Sequence, residues 1–145
     1  MATNKTLGPT GVTISIPAFT DQPDQRVNSN CIDKLADAVN TLTPTNVSVT
    51  LDTTKVASGV YAIRVGKIVF VILNNATPAV AISADTTIAT LGVSATTTYF
   101  GMAKEINGND VMLLVDTSGN LKIAGVTGAQ SGKQIYGTFT YITSN

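Results

Sequence analysis

Apolar residues follow a period of two through most of the chain beyond residue 45. They alternate with polar residues over 47–51, and strand-forming apolar residues dominate 60–65 and 67–73. Alternation over short runs is typical of half-buried β-strands. Further candidate strands lie at the spacing of a sandwich or barrel, over 79–82, 86–91, 97–103, 111–115, 120–124 and 134–142. The sequence therefore predicts a mainly β protein, with a jelly-roll-like antiparallel β-sandwich as a head domain over 45–145.

Turn-forming residues separate these candidate strands. Gly66 lies between the second and third strands, where a glycine supplies a positive φ without steric cost. Asn74 and Asn75, residues 107–110 and residues 116–120 have the composition of further turns. We therefore predict hairpin connections at these points.

Residues 31–42 carry a different pattern. Four apolar residues, called the seam below, recur at a 3-4-3 spacing: Ile32, Leu35, Val39 and Leu42. This spacing predicts one short amphipathic helix, capped by Asn30 and ended before Pro44. Such a helix is too short to be stable alone, so residues 31–44 are interpreted as an oligomerisation helix and linker. The alternative is a helix that covers the chain's own sheet.

Residues 1–30 are predicted to form an extended arm with one strand over 12–16, because glycine and proline interrupt the rest. The arm carries five large apolar residues that a monomer would leave exposed: Leu7, Val12, Ile14, Ile16 and Phe19. We expect these residues to anchor the arm to another protein. The alternative is that the arm adds an edge strand to its own domain.

Charge and hydropathy limit the partners. The 9 basic and 9 acidic residues balance, whereas nucleic-acid binders carry a basic excess. The longest apolar run, 68–73, is far shorter than the roughly 18 residues that span a bilayer, and the start of the chain does not resemble a signal peptide. We expect synthesis in a cytoplasm, no membrane or nucleic-acid partner, and self-association favoured by the low charge content.

The sequence offers little for catalysis or metal binding. It has no His, one Cys and one Glu, so neither a Ser-His-Asp triad nor a structural zinc site can be assembled. Cys31 is interpreted as a small buried residue, with intermolecular pairing as the alternative. Residues 125–134 depart from a phosphate-binding loop, and 116–120 fit a hairpin turn better than a calcium loop. We predict a non-enzymatic protein without cofactors.

Seven aromatic residues fall on the candidate strands, where aromatics are more often core or interface residues than ligand platforms. Tyr99 and Tyr136 have the least buried-looking contexts. We interpret these two as candidate contacts for a glycan.

The order of segments over about 56–142 resembles the β-sandwich heads of phage fibres and baseplate receptor-binding proteins. The resemblance rests on a strand pair around Gly66 (60–71), a Thr-Leu edge (88–91), the strand at 111–115, a Gly-x-Leu-x-Ile hairpin (118–123) and a final strand with glycine and tyrosine (132–137).

This resemblance implies a homotrimeric virion protein whose N-terminal part attaches to the virion while helices join at the three-fold axis. The head here follows the helix almost at once, whereas tail fibres that recognise hosts carry long shafts. We therefore expect a head fibre or capsid decoration protein at the virion surface, made in the bacterial cytoplasm and bound to the major capsid protein or another virion protein. The alternative is a fibre or baseplate tip that binds a host receptor or glycan.

Overall fold

The computed structural model describes residues 3–7, 12–16, 23–124 and 129–144. The chain divides into two compact units, Met1–Pro44 and Thr45–Asn145. We call the first the N-terminal unit and the second the head.

The N-terminal unit contains a two-stranded antiparallel sheet and a helix. Strands β1 (Thr3–Leu7) and β2 (Val12–Ile16) pair so that Leu7 lies opposite Val12. The sequence predicts β2, but it does not predict β1. Residues 3–7 contain one large apolar residue, so they lack an alternating pattern, and their strand conformation depends on the partner strand.

Helix α1 (Pro23–Thr41) is the single helix predicted, but it begins well before the expected cap at Asn30. We interpreted Pro23 as an interruption of the arm, and this was wrong. Proline is tolerated at the first helical position, where its missing N–H would have no partner anyway.

In the described part of the head, nine strands join into one antiparallel sheet. These strands are β3 (Thr45–Asn46), β4 (Val49–Leu51), β5 (Val60–Val65), β6 (Ile68–Ala76), β7 (Thr86–Leu91), β8 (Tyr99–Glu105), β9 (Asp110–Val115), β10 (Asn120–Ala124) and β11 (Ile135–Ile142). Their order across the sheet is β3-β5-β6-β11-β8-β9-β10-β7-β4. The predicted mainly β class, with an antiparallel arrangement, is confirmed.

The sheet curls because its two edge strands are consecutive pieces of one segment. Asn46 of β3 pairs with Ile63 of β5, whereas Val49 of β4 pairs with Leu91 of β7 at the other edge. Between these pairs, the Val47 N–H donates to the Ala62 carbonyl at 2.9 Å. Residues 45–51 therefore bring the two edges of the sheet together.

The inner surface of the curled sheet encloses one hydrophobic core. In β6, Val69, Val71 and Leu73 are buried, whereas Ile68 and Phe70, which alternate with them, are exposed. The other long strands contribute to the same core, including Val111, Leu113 and Val115 of β9, Leu121 and Ile123 of β10, and Tyr141 of β11. This burial explains the period-two pattern of the sequence.

Residues 79–82 do not form a strand, contrary to the prediction. This segment crosses one end of the sheet, held by an isolated bridge between Ile82 and Ala129 and by a bond from the Ala79 N–H to the Lys55 carbonyl. Ile82 is buried there and Val80 is exposed. By contrast, the tight turn predicted between β5 and β6 is confirmed, and Gly66 has a φ of 58°.

Candidate functional site

The four seam residues remain exposed in the single chain. Their exposed fractions are between 38% for Ile32 and 64% for Leu35 and Leu42. The buried residue in this part of α1 is Ala36, with Asp33 and Asn40 half-buried one turn to either side. Ala36, Asp33 and Asn40 are therefore more covered than the seam residues. The seam is left as an apolar surface that another chain could cover.

Cys31 is exposed, so the expectation of a buried residue is wrong. Because α1 begins at Pro23, Cys31 lies in the middle of the helix and not at its onset. It lies one turn before Leu35, on the exposed side of α1.

The proposed anchoring residues lie mostly on the small N-terminal sheet. Val12, Ile14 and Ile16 occupy alternate positions of β2, and Leu7 ends β1 opposite Val12. Phe19 lies outside the described residues.

The two tyrosines considered for glycan contact lie in different surroundings. Tyr99 is half-buried; its ring packs 6.2 Å from that of Tyr141, and its hydroxyl lies 2.9 Å from that of Thr96. Tyr136 is 40% exposed, and its hydroxyl donates to Gln134 Oε1 at 2.9 Å. Tyr99 thus contributes to packing, and Tyr136 is the more accessible of the two.

Tyr136 belongs to the end of the head where the β8–β9 turn approaches residues 129–134. The buried carboxylate of Glu105 joins these segments, since its Oε1 accepts from the Gln130 N–H at 2.6 Å and its Oε2 accepts from Asn109 Nδ2 at 3.2 Å. The Ile106 N–H also donates to the Gln134 carbonyl at 2.8 Å. These bonds join the β8–β9 turn to the segment that precedes Tyr136.

A cleft of about 480 Å³ opens where β4 diverges from β5. Backbone pairing between these segments ends at the bond from Val47 to Ala62, because the chain then turns away to pair with β7. The cleft is lined by Asn46, Val47, Val49, Val60, Tyr61, Ala62, Ile63, Ile72 and Asn74. We call it the Tyr61 cleft. Its volume lies within the range of roughly 300–1,000 Å³ typical of small-molecule sites.

The Tyr61 cleft combines apolar walls with three exposed polar side chains. Tyr61 is 54% exposed, and Asn46 and Asn74 are exposed beside it. Within the described parts of the chain, none of these three side chains has a hydrogen-bond partner. An aromatic ring beside free amides can stack on an apolar ligand face and exchange hydrogen bonds with hydroxyl groups.

Sequence reasoning missed this cleft. Tyr61 was placed correctly on a strand, but so were the other tyrosines, and nothing in the pattern distinguishes its exposure from theirs. The cleft depends on Asn46 and Asn74, which lie far apart in sequence and meet only through the pairing of β3 and β6 with β5.

The β9–β10 turn is confirmed as a hairpin. The Asp116 carboxylate accepts hydrogen bonds from the Ser118 N–H at 2.9 Å, the Asn120 N–H at 3.0 Å and Asn120 Nδ2 at 3.1 Å. Lys122 Nζ lies 3.0 Å from the same carboxylate. Partial burial acts to raise the Asp116 pKa, but the bonds from Asn120, Lys122 and Ser118 outweigh it and lower the pKa to about 2. Asp116 is therefore occupied in holding its own turn.

Among residues 3–7, 12–16, 23–124 and 129–144, no group of three or more His, Cys, Asp or Glu side chains is placed to hold a metal ion. No helix among the described residues is both long enough and apolar enough to cross a membrane. Part of the segment compared with a phosphate-binding loop, residues 125–128, lies outside the described residues.

The chain matches no protein-family model and no curated protein. Among solved structures, it is similar to the receptor-binding protein (gp15) of Listeria phage PSA, with a TM-score of 0.57 and 15% sequence identity. The similarity covers 89% of this chain and 82% of that chain. At this level of identity, the comparison establishes a shared fold.

Proposed function

We propose that this chain is a non-enzymatic structural protein of a bacteriophage virion, and that its head binds a receptor on the host surface. The observation that carries the proposal is the similarity of its fold to a phage receptor-binding protein over 89% of the chain. The resemblance noted in the sequence supports the same class of protein. This evidence favours the receptor-binding alternative over a purely decorative role.

The Tyr61 cleft is the surface of the head that best fits a saccharide receptor. Pyranose rings present apolar C–H faces and hydroxyl groups that donate and accept hydrogen bonds. Tyr61 offers a ring for the apolar face, and the free amides of Asn46 and Asn74 offer donors and acceptors for the hydroxyls. Tyr136 is the second candidate contact, at the end of the head that contains the β8–β9 turn.

The test is binding of the purified full-length chain to an array of bacterial cell-wall saccharides. We expect Tyr61→Ala to weaken binding at least about tenfold, because a stacking aromatic in a small site contributes more than about 1 kcal/mol. Tyr136→Ala tests the second candidate contact, and Val80→Ala is the control, since it truncates an exposed apolar side chain that belongs to neither site.

If only the Tyr136 variant loses binding, the saccharide contact lies at the end of the head that contains the β8–β9 turn. An array without any specific saccharide would contradict glycan binding by this chain.

A second candidate is a trimeric head fibre or decoration protein on the capsid surface. It is favoured by the division of the chain, because a separate N-terminal unit with its own two-stranded sheet could attach to the major capsid protein or another virion protein. Anchoring would then involve Leu7, Val12, Ile14, Ile16 and Phe19, and the seam would join the three chains.

Anchoring is tested by replacing Ile14 and Ile16 together with Asp and measuring binding of the full-length chain to purified capsids. Both residues lie at alternate positions of β2 and would place charges against an apolar partner surface. We expect capsid binding to be lost while saccharide binding persists. Undiminished capsid binding would exclude the arm as the anchor.

A further inference from the structure

Large apolar side chains cover much of the outward surface of the four neighbouring strands β6, β11, β8 and β9. We call this surface the outer face and define it by the exposed residues Ile68, Phe70, Phe100, Met102, Met112 and Ile142. Phe100 is 63% exposed and Met102 is 52% exposed, although both belong to regular strands. Burial in the core of the head does not account for these residues.

The registers place these residues in rows across the sheet. Phe70 lies beside Thr140, and Ile68 lies beside Ile142. Phe100 and Met102 lie beside Leu114 and Met112 in the β8–β9 pair.

The β8–β11 pair joins the two halves of the outer face. In this pair, Ile135 lies opposite Glu105. The same register extends to Gly137 and Ala103, since a Cβ added at Gly137 would lie 2.7 Å from the Cβ of Ala103. The same register brings Thr140 next to Phe100. Phe70, Thr140 and Phe100 thus form one continuous row over three strands.

Charged groups are scarce on these four strands and are already satisfied. The strands carry Lys104, Glu105 and Asp110 as their charged residues. Lys104 and Asp110 form an ion pair at 2.6 Å, and Glu105 is buried with hydrogen bonds. The outer face therefore has neither the basic excess that favours a nucleic acid nor a single-signed patch that favours an oppositely charged partner.

We propose that the outer face is a self-association surface, covered in solution by the head of a second copy of this chain. The six side chains of the outer face are between 36% and 63% exposed. At these exposed fractions each contributes on the order of 100 Å², so the outer face presents roughly 600 Å² of apolar surface. This area is at the upper end of the roughly 300–600 Å² of the largest apolar patch on a typical monomer, and such patches are often functional. A stable interface needs about 800 Å² per partner, including its polar rim. Two neutral apolar faces can meet without burying an unpaired charge.

This assignment differs from association through the seam, which lies in the N-terminal unit. It also does not depend on the saccharide proposal, because none of the six residues lines the Tyr61 cleft. The two surfaces can therefore be tested with separate variants of the full-length chain.

The test uses sedimentation velocity and native mass spectrometry of the full-length chain. We expect the wild type to have at least twice the 15.0 kDa mass of one chain. Replacing Phe100 and Met102 together with Ser should raise the dissociation constant at least about 100-fold, because central apolar residues dominate interface affinity. The matched control replaces Val80 and Ile106 with Ser, since these are 45% and 65% exposed but lie outside the four strands. The control should change the constant less than about threefold.

A second measurement needs no variant. Oxidation of Met102 and Met112 by dilute hydrogen peroxide should be at least about fivefold slower at tens of micromolar protein than after dilution to nanomolar concentration. Free methionine in the same solution controls for the reagent. A wild-type monomer at tens of micromolar would overturn the proposal. So would equal association of the Phe100 and Met102 variant, or a Met102 oxidation rate independent of concentration.

Discussion

Replacing Asp116 with Asn tests whether the β9–β10 turn depends on a charged carboxylate. In the folded chain this group accepts three hydrogen bonds from Ser118 and Asn120 and pairs with Lys122, and its side chain is 21% exposed. Asn has nearly the same shape, but it carries no charge and has one acceptor oxygen in place of two. The substitution therefore removes the interaction while leaving the local volume unchanged.

The magnitude follows from the Asp116 pKa, which is lowered from 3.8 to about 2 on folding. A difference of this size corresponds to about 2 kcal/mol of stability at neutral pH. Because the folded pKa lies below the unfolded value, the folded state favours the deprotonated form. The contribution is complete above a pH of about 4 and is lost as the pH falls toward about 2.

The assay is urea unfolding of the wild type and Asp116→Asn at several pH values between 2 and 7. We expect the variant to be less stable by about 2 kcal/mol at pH 7 and the difference to shrink toward pH 2. Asp85→Asn is the control, since Asp85 is an exposed carboxylate with a φ of 60°, a conformation that Asn also tolerates. Its effect should stay within about 0.5 kcal/mol. A constant difference between the wild type and Asp116→Asn across this pH range would refute the reasoning.

Three further predictions concern the seam and the core. Replacing Leu35 and Val39 together with Asp should lower the mass of the assembly in sedimentation velocity, because it places charges in an apolar seam; an unchanged assembly would exclude the seam as an interface. Burial raises the pKa of Tyr141 to about 12, so its contribution to stability is present below pH 10 and lost as the pH rises toward 12. In Tyr141→Phe, the free energy of unfolding should therefore fall less between pH 10 and 12 than in the wild type. The same fall in both proteins would contradict this. Gly59→Ala should cost about 3 kcal/mol in urea unfolding, since Gly59 has a φ of 89° and a Cβ there would lie 2.6 Å from a backbone nitrogen of β6. Gly132→Ala, with a φ of 72° and no atom within 4 Å of the added Cβ, should cost less.

Local patterns in the sequence determined most of the head's strands. In β6 and β9 the apolar runs mark strands whose alternate residues, such as Val71 and Leu113, enter the core. Gly66 and the Asp116 turn were also predictable, because their conformations depend on neighbours in sequence. The same local reasoning misplaced the start of α1, since Pro23 fits both an interruption and a first helical turn.

Tertiary structure decided which side of each element meets solvent and which distant residues meet each other. Alternation places Phe100 and Met102 on one side of β8, but only the order of strands joins them to Phe70 and Met112 as a continuous outer face. The Tyr61 cleft likewise exists because residues 45–51 leave one edge of the sheet for the other. Pairings between strands far apart in sequence are set by global packing and leave no local signal. The sequence by itself therefore determined the class of fold, and the three-dimensional pairing determined the surfaces on which function depends.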